Sequence, residues 1–269
     1  MSVLKKHNVN ISGNGGEVLL FSHGFGCSQE MFRHMVPEFS DEYRIVLYDL
    51  AGSGSYDMAC WNRENYQTLH GYARDLIAIC EELQVTGVHF VGHSVSAMIG
   101  VLAGVRRPEL FASLTLIGPS PRYINDGDYR GGFDRQDIDE LLETMAGNYL
   151  GWSSTMAPLI MGNGERPALG EELTNNFCKT DPDAARHFAN ITFRSDNRAD
   201  LPLVSQPTLV IQCTEDIIAP EYVGEYVHDQ IPNSEYVLLN ARGHCPNLSE
   251  PEKTSAALRD FLRKIAVPA

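Results

Sequence analysis

Four short stretches of this chain hold the residue types needed for nucleophilic attack on a carbonyl carbon. Gly92-His93-Ser94-Val95-Ser96 follows the apolar run Val88–Val91 and precedes a helix-like segment from Ser96 towards Arg107. A serine at so sharp a strand-to-helix turn has a strained backbone and needs small neighbours, and its hydroxyl projects at a helix N-terminus, where developing negative charge is favoured. The fifth position is Ser96 and not the usual glycine, a departure that a small side chain can accommodate. The string alone would suit a serine in an ordinary turn; its place between strand and helix is what favours Ser94 as a nucleophile. Ser22-His23-Gly24-Phe25-Gly26 ends an earlier apolar run. The backbone N–H groups of Phe25 and Val95 would then form an oxyanion hole, each donor of this kind being worth roughly 100- to 1,000-fold in rate. His23 reads as a structural histidine that ties this loop down.

Cys213-Thr214-Glu215-Asp216 follows the run Thr208–Ile211, and Asp216 is preferred to Glu215 as the acid because Ile217-Ile218-Ala219-Pro220 after it opens the next helix. A plain helix-capping aspartate is the alternative. Ala241-Arg242-Gly243-His244-Cys245-Pro246 follows the last strand-like run, and the glycine suits a base that must swing between nucleophile and leaving group. The order Ser94, Asp216, His244 matches the chemistry: His244 takes the serine proton, Asp216 orients and stabilises the imidazolium, and water activated by the same histidine clears the acyl-enzyme. Such a scheme requires no metal and no organic cofactor. An aspartate at the elbow would instead have suggested dehalogenase chemistry.

The elements that must position these residues are legible around them. Val18–Phe21, Arg44–Tyr48, Val88–Val91, Leu114–Ile117, Thr208–Ile211 and Tyr236–Leu239 are short, apolar and rich in β-branched or aromatic residues. Such runs fit parallel strands covered on both faces. Between them, Leu69, Tyr72, Ala73, Leu76, Cys80 and Leu83 recur near a period of 3.6, and a final helix is expected over Glu250–Lys264. The alternation implies a mostly parallel α/β sheet. It breaks between about Ser120 and Asn197, where Ile138, Leu141, Leu142 and Met145 mark one helix and Asp181-Pro182 opens another. We divide the chain into a core of residues 1–119 and 198–269 and a helical insertion over 120–197, set as a cap over the sheet edge where ligands bind in α/β proteins; a helical decoration without a gating role is the plainer alternative. Gly13-Asn14-Gly15-Gly16 reads as a hairpin between two N-terminal strands, and Gly52-Ser53-Gly54 lacks the spacing of a phosphate loop.

Bulk properties narrow the function further. A net charge of −14 disfavours nucleic acid and anionic lipid as partners. Lys5 and Lys6 are followed by no apolar core of the kind a signal peptide has, and no apolar run reaches the roughly 18 residues needed to cross a bilayer. The six cysteines lack metal-like spacing, so a cytoplasmic protein with reduced thiols and no metal is expected.

Gly92 to Gly100 (GHSVSAMIG), Arg106 to Phe111 (RRPELF), Gly118-Pro119-Ser120-Pro121, Asn125-Asp126, Gly131-Gly132-Phe133, Asn148-Tyr149, Phe193-Arg194-Ser195-Asp196 and Gly243 to Pro246 together resemble the RsbQ-type bacterial stress regulators and the plant strigolactone and karrikin receptor hydrolases. This resemblance covers nearly the whole chain. It implies the α/β-hydrolase fold: a mostly parallel central sheet with helices on both faces and an inserted lid of four helices, roughly Tyr123 to Asp196, over a small hydrophobic pocket. Phe25, Phe133, Trp152 and Phe193 are the expected lining. Gly118 to Pro121 and His244-Cys245-Pro246 look RsbQ-like, whereas Ser96 is the plant-like feature. The resemblance also implies signalling. The leading expectation is an esterase- or lactonase-type serine hydrolase of a small hydrophobic carbonyl compound, coupled to stress-response signalling through a protein phosphatase partner. The alternatives are a ligand-binding receptor with incidental turnover and a metabolic carbon–carbon bond hydrolase.

Overall fold

The computed structural model describes residues 2–266. Its strands are β1 Asn10–Ser12, β2 Glu17–Ser22, β3 Tyr43–Tyr48, β4 Val88–His93, β5 Phe111–Ile117, β6 Thr208–Glu215 and β7 Ser234–Arg242. Its helices are α1 Val3–Lys6, α2 Leu69–Leu83, α3 Val95–Arg106, α4 Arg135–Gly147, α5 Tyr149–Met161, α6 Pro167–Lys179, α7 Pro182–Phe193, α8 Glu221–Gln230, α9 Pro246–Ser249 and α10 Pro251–Ala266. The strands form one sheet of order β1-β3-β2-β4-β5-β6-β7, parallel throughout except for the β1–β3 pair.

Alternation along each strand feeds two apolar layers. Val18 and Leu20 of β2 join Val46 and Tyr48 of β3 beneath α2 and α3, with Val227 of α8 in the same layer. Leu19 and Phe21 join Ile45 on the opposite face, closed by Leu258, Phe261 and Leu262 of α10 and by Phe32, Met35 and Phe39 of the short turns after β2. Filling both faces is what makes these strands read as unbroken apolar runs. Of the residues of α2 that recur at helical spacing, Leu69, Tyr72, Ala73, Leu76 and Cys80 are buried and Leu83, in the last turn, is half-buried. Among the described residues no helix is long and apolar enough to cross a membrane, and no disulfide joins any of the six cysteines.

The Gly13–Gly16 turn is not the expected hairpin. Asn10 pairs with Leu47 of β3, not with β2, so the chain crosses the start of β3 between its first two strands. The crossing leaves no room for side chains: a Cβ on Gly13 would lie 2.2 Å from the Tyr43 carbonyl, and one on Gly15 1.9 Å from that of Glu42. Turn residues report that the chain turns; they carry no information about a third strand lying between.

The strand order also fixes where a site can form. From β2 the chain moves outward to β3, then returns to place β4 on the other side of β2 and continues outward through β7. Connections diverge at the β2/β4 boundary and leave a crevice at the C-terminal ends of these strands. Between β5 and β6 the helices α4 to α7 follow one another, with α5 packed on α6 and α4 against α5 and α7. A reciprocal Asp134/Asp137 capping box starts α4, and Asp181 caps α7 ahead of Pro182 as its spacing predicts. Ion pairs close the base of this block: Arg122 Nη1 lies 2.6 Å from Asp196 and Arg198 Nη2 2.6 Å from Asp126. The Asn197 N–H also donates to the Pro121 carbonyl at 2.8 Å, joining the outgoing and returning segments.

Candidate active site

Ser94 sits directly after β4 with φ 59° and ψ −124°, a conformation that costs a non-glycine residue roughly 1–3 kcal/mol. Its surroundings hold it there. The Ser94 N–H donates to the Ile117 carbonyl at 2.8 Å, and its own carbonyl accepts from Ala97 at 2.9 Å. Gly92 must lack a side chain, since a Cβ there would stand 2.6 Å from both the Phe90 ring and the Ser96 carbonyl. The same turn begins α3, so the Val95 amide is a free helix N-terminal donor beside the serine.

Ser94, Asp216 and His244 come together in one buried chain of hydrogen bonds. His244 Nδ1 lies 2.7 Å from Asp216 Oδ2 and Nε2 lies 2.7 Å from Ser94 Oγ. Asp216 Oδ1 accepts the N–H groups of Ile218 at 2.8 Å and Ala219 at 3.0 Å, so the capping role and the orienting role fall to different oxygens of one carboxylate. Burial alone would raise this carboxyl; the facing imidazole and the two amides overcome it and hold it below the ordinary range. An ionised carboxylate can only accept, so the ring proton resides on Nδ1 and leaves Nε2 as the acceptor for the serine hydroxyl.

His244 is anchored through its backbone. Its N–H donates to Ile160 O of α5 at 2.9 Å, and its carbonyl accepts from His93 Nε2 at 2.7 Å. Gly243, at φ 84°, is pressed against the end of α5, where an added Cβ would lie 1.8 Å from Met161 O. The glycine therefore provides close approach to the helical block, and not the swinging freedom expected of it. His93 is fully buried, and desolvation lowers it to about 3, so this ring is a neutral donor to the His244 carbonyl.

The loop after β2 lies along the elbow. A Cβ on Gly24 would come 2.7 Å from His93 Nδ1 and 3.2 Å from Ser94 Cβ. Among the described residues neither the Phe25 nor the Val95 N–H is committed to another group. Ser96 does more than fit: it donates to His23 O at 2.6 Å and accepts from Ser22 Oγ at 2.8 Å, which in turn accepts from Tyr48 OH at 2.7 Å. This hydroxyl chain pins α3 to the loop carrying Phe25. His23 is structural, as expected, with Nε2 accepting the Leu50 N–H at 3.0 Å and Nδ1 donating to Gly24 O at 2.8 Å. Burial, only partly opposed by Asp49, holds its pKa below the usual imidazole range.

Above Ser94 lies a small cavity whose walls are almost wholly apolar. Phe25, Trp152 and Phe193 line it, and Trp152 stacks on Phe177 with ring centroids 5.6 Å apart. Phe133 is not among the lining residues. Its N–H donates to Tyr123 O and its carbonyl accepts from Asn125 N, so it belongs to a short ladder at the base of the helical block, and its half-buried ring packs against the block's apolar cluster. Sequence reasoning missed Tyr123, Phe177, Thr192, Cys27 and Cys245, all in the cavity wall. Phe177 was findable from its i, i+4 spacing with Leu173; Tyr123 sits in a segment without periodicity. Burial pushes the Cys27 thiol up to about 12 and Cys245 well above its ordinary value, so both stay protonated and act as apolar lining.

Comparison with known proteins shows the family. The profile of the Alpha/beta hydrolase family matches residues 19–257, and this chain belongs to that family and is a hydrolase of it. It is 42% identical over 251 residues to a karrikin insensitive 2 receptor of Petunia hybrida, covering 93% of each chain. It is 40% identical to the strigolactone esterase of Arabidopsis thaliana, covering 98% of this chain and 97% of that protein. The solved structure of a hydrolase from Oleispira antarctica superposes with a TM-score of 0.94 at 39% identity, covering 97% of this chain and 96% of its own.

Proposed function

We propose that this protein is an esterase- or lactonase-type serine hydrolase acting in the cytoplasm on a small hydrophobic ester or lactone. The observation that carries the reading is the relay from Asp216 through His244 to Ser94, with both contacts at 2.7 Å, opening on a small apolar cavity. In this reading Ser94 Oγ attacks the carbonyl carbon as its proton passes to His244 Nε2, and Asp216 stabilises the imidazolium. The carbonyl oxygen gains negative charge between the Phe25 and Val95 amides. His244 then gives its proton to the departing alkoxide, which in a lactone stays attached as a hydroxyl. A water molecule, deprotonated by the same ring, attacks the acyl carbon, releases the acid and restores Ser94. The four-helix block serves as the lid that keeps bulk water from the acyl-enzyme.

Labelling with a fluorophosphonate probe, mapped by mass spectrometry, tests the assignment. A single adduct on Ser94, absent from Ser94→Ala along with p-nitrophenyl acetate hydrolysis, is expected; label elsewhere, or none, removes it. Receptor and esterase names among relatives near 40% identity favour a signalling role as a second reading. The RsbQ-like segments Gly118 to Pro121 and His244-Cys245-Pro246 support coupling to stress-response signalling through a phosphatase. If Ser94→Ala still activates that phosphatase, ligand binding is the signal and turnover is incidental.

A further inference from the structure

One buried hydroxyl in the cavity wall has no partner among the described residues. Serine and threonine within helices ordinarily satisfy their hydroxyls on the carbonyl four residues back. In the helical block Thr144, Ser153, Ser154, Thr155 and Thr174 all do so, at 2.8 to 3.1 Å. Thr192, in the last turn of α7, does not: it is 2% exposed, and its Oγ1 has no hydrogen-bond partner among the described residues. It lines the cavity together with Phe25, Leu173, Phe177 and Phe193, whose side chains offer no hydrogen bond. Of the other polar groups there, Ser94 bonds His244, Tyr123 stands beside Ser94 at the reacting end, and His93 Nδ1, also without a partner, lies beneath Gly24. A buried hydroxyl left without a partner is unfavourable, and sites that hydrogen-bond a substrate group are built from such atoms.

Resting on the hydrolase reading, we propose that Thr192 is a specificity residue. Its Oγ1 binds a second oxygen of the substrate, so the substrate is a compact, mainly apolar ester or lactone bearing one ether, carbonyl or hydroxyl oxygen besides the scissile group. A purely hydrocarbon acyl chain leaves the hydroxyl unsatisfied.

The test compares p-nitrophenyl pentanoate with its ether isosteres, the ethoxyacetate and the 3-methoxypropionate, on the wild type, Thr192→Val and Thr192→Ser. The readout is the ratio of kcat/KM for the better ether ester to that for the pentanoate. Comparing this ratio between proteins cancels the esters' intrinsic reactivities, and a general packing defect lowers both terms together. The ratio is expected to fall about tenfold in Thr192→Val, the size of one neutral hydrogen bond, and to persist in Thr192→Ser. A fall of less than threefold in Thr192→Val, or an equal fall in Thr192→Ser, overturns the proposal. If the wild type hydrolyses none of the three esters, the hydrolase reading fails separately. Thr192 is then judged by calorimetric titration of 1,4-dioxan-2-one against δ-valerolactone: a preference for the dioxanone that is lost in Thr192→Val upholds the subsite, and equal or absent binding refutes it.

Discussion

Replacing Asp216 by asparagine keeps the shape of the site and alters the position of one proton. The outcome turns on the two amides that hold Oδ1, those of Ile218 at 2.8 Å and Ala219 at 3.0 Å. If the new side chain turned its NH₂ group towards them, two donors would face a third, with a loss of roughly 1–3 kcal/mol for each unsatisfied buried group. The asparagine carbonyl therefore stays on the amide side and its NH₂ meets His244 Nδ1, now 2.7 Å from Asp216 Oδ2. Nδ1 must then be the lone-pair nitrogen, and the ring proton moves to Nε2. In that form Nε2 faces the Ser94 hydroxyl as a donor, and no base is present. Loss of the correct tautomer together with the imidazolium's counter-charge is worth about 10⁴-fold in kcat, or roughly 5.5 kcal/mol, by analogy with the same substitution in a serine protease. Asp216→Ala removes the same charge but leaves Nδ1 free to keep its proton, so it should be the less impaired of the two. Single-turnover release of p-nitrophenol from p-nitrophenyl acetate, on proteins first checked for native near-UV circular dichroism, measures the acylation step. An Asp216→Asn protein that loses less than about 100-fold, or one that outperforms Asp216→Ala, would refute the tautomer reasoning.

Two further outcomes follow from the same geometry. His93 is neutral and lowered to about 3 in the folded protein against 6.5 unfolded, so below pH 6.5 the unfolded chain binds a proton that the native one refuses, and stability declines as pH falls towards 3. In His93→Gln, whose amide can still donate to the His244 carbonyl, urea titrations between pH 6 and 4 should show a slope shallower by about 1.4 kcal/mol per pH unit, and coincident slopes would contradict the assignment. Gly243→Ala places a methyl 1.8 Å from Met161 O at φ 84°, so the contact between the His244 loop and α5 must open. A stability loss of about 2 kcal/mol or more, with a fall in kcat, is expected; wild-type values for both would mean that this contact does not hold the imidazole in place.

The chemistry was legible in the chain because each of its pieces is local. An apolar run, a tight turn and a helix-like segment around Ser94 define an elbow from a handful of consecutive residues. The loops carrying Phe25, Asp216 and His244 likewise follow runs whose two-sided apolarity marks parallel strands. Parallel strands place all their C-terminal ends on one edge, so the order of the elements already implied that these loops meet there.

Tertiary structure decided what depends on neighbours distant in sequence. β1 pairs across β3, and no turn residue can specify that partner. Phe133 falls into a ladder at the base of the helical block while Phe177 and Tyr123 reach the cavity, because helix packing and not composition sets which aromatic faces inward. Gly243 and Met161 touch through backbones, where sequence alone suggested a hinge. Thr192 looks like any helical threonine until its hydroxyl is found without a partner. A sequence registers the side chains a segment needs for its own conformation; which distant surface each one meets is fixed only when the layers close.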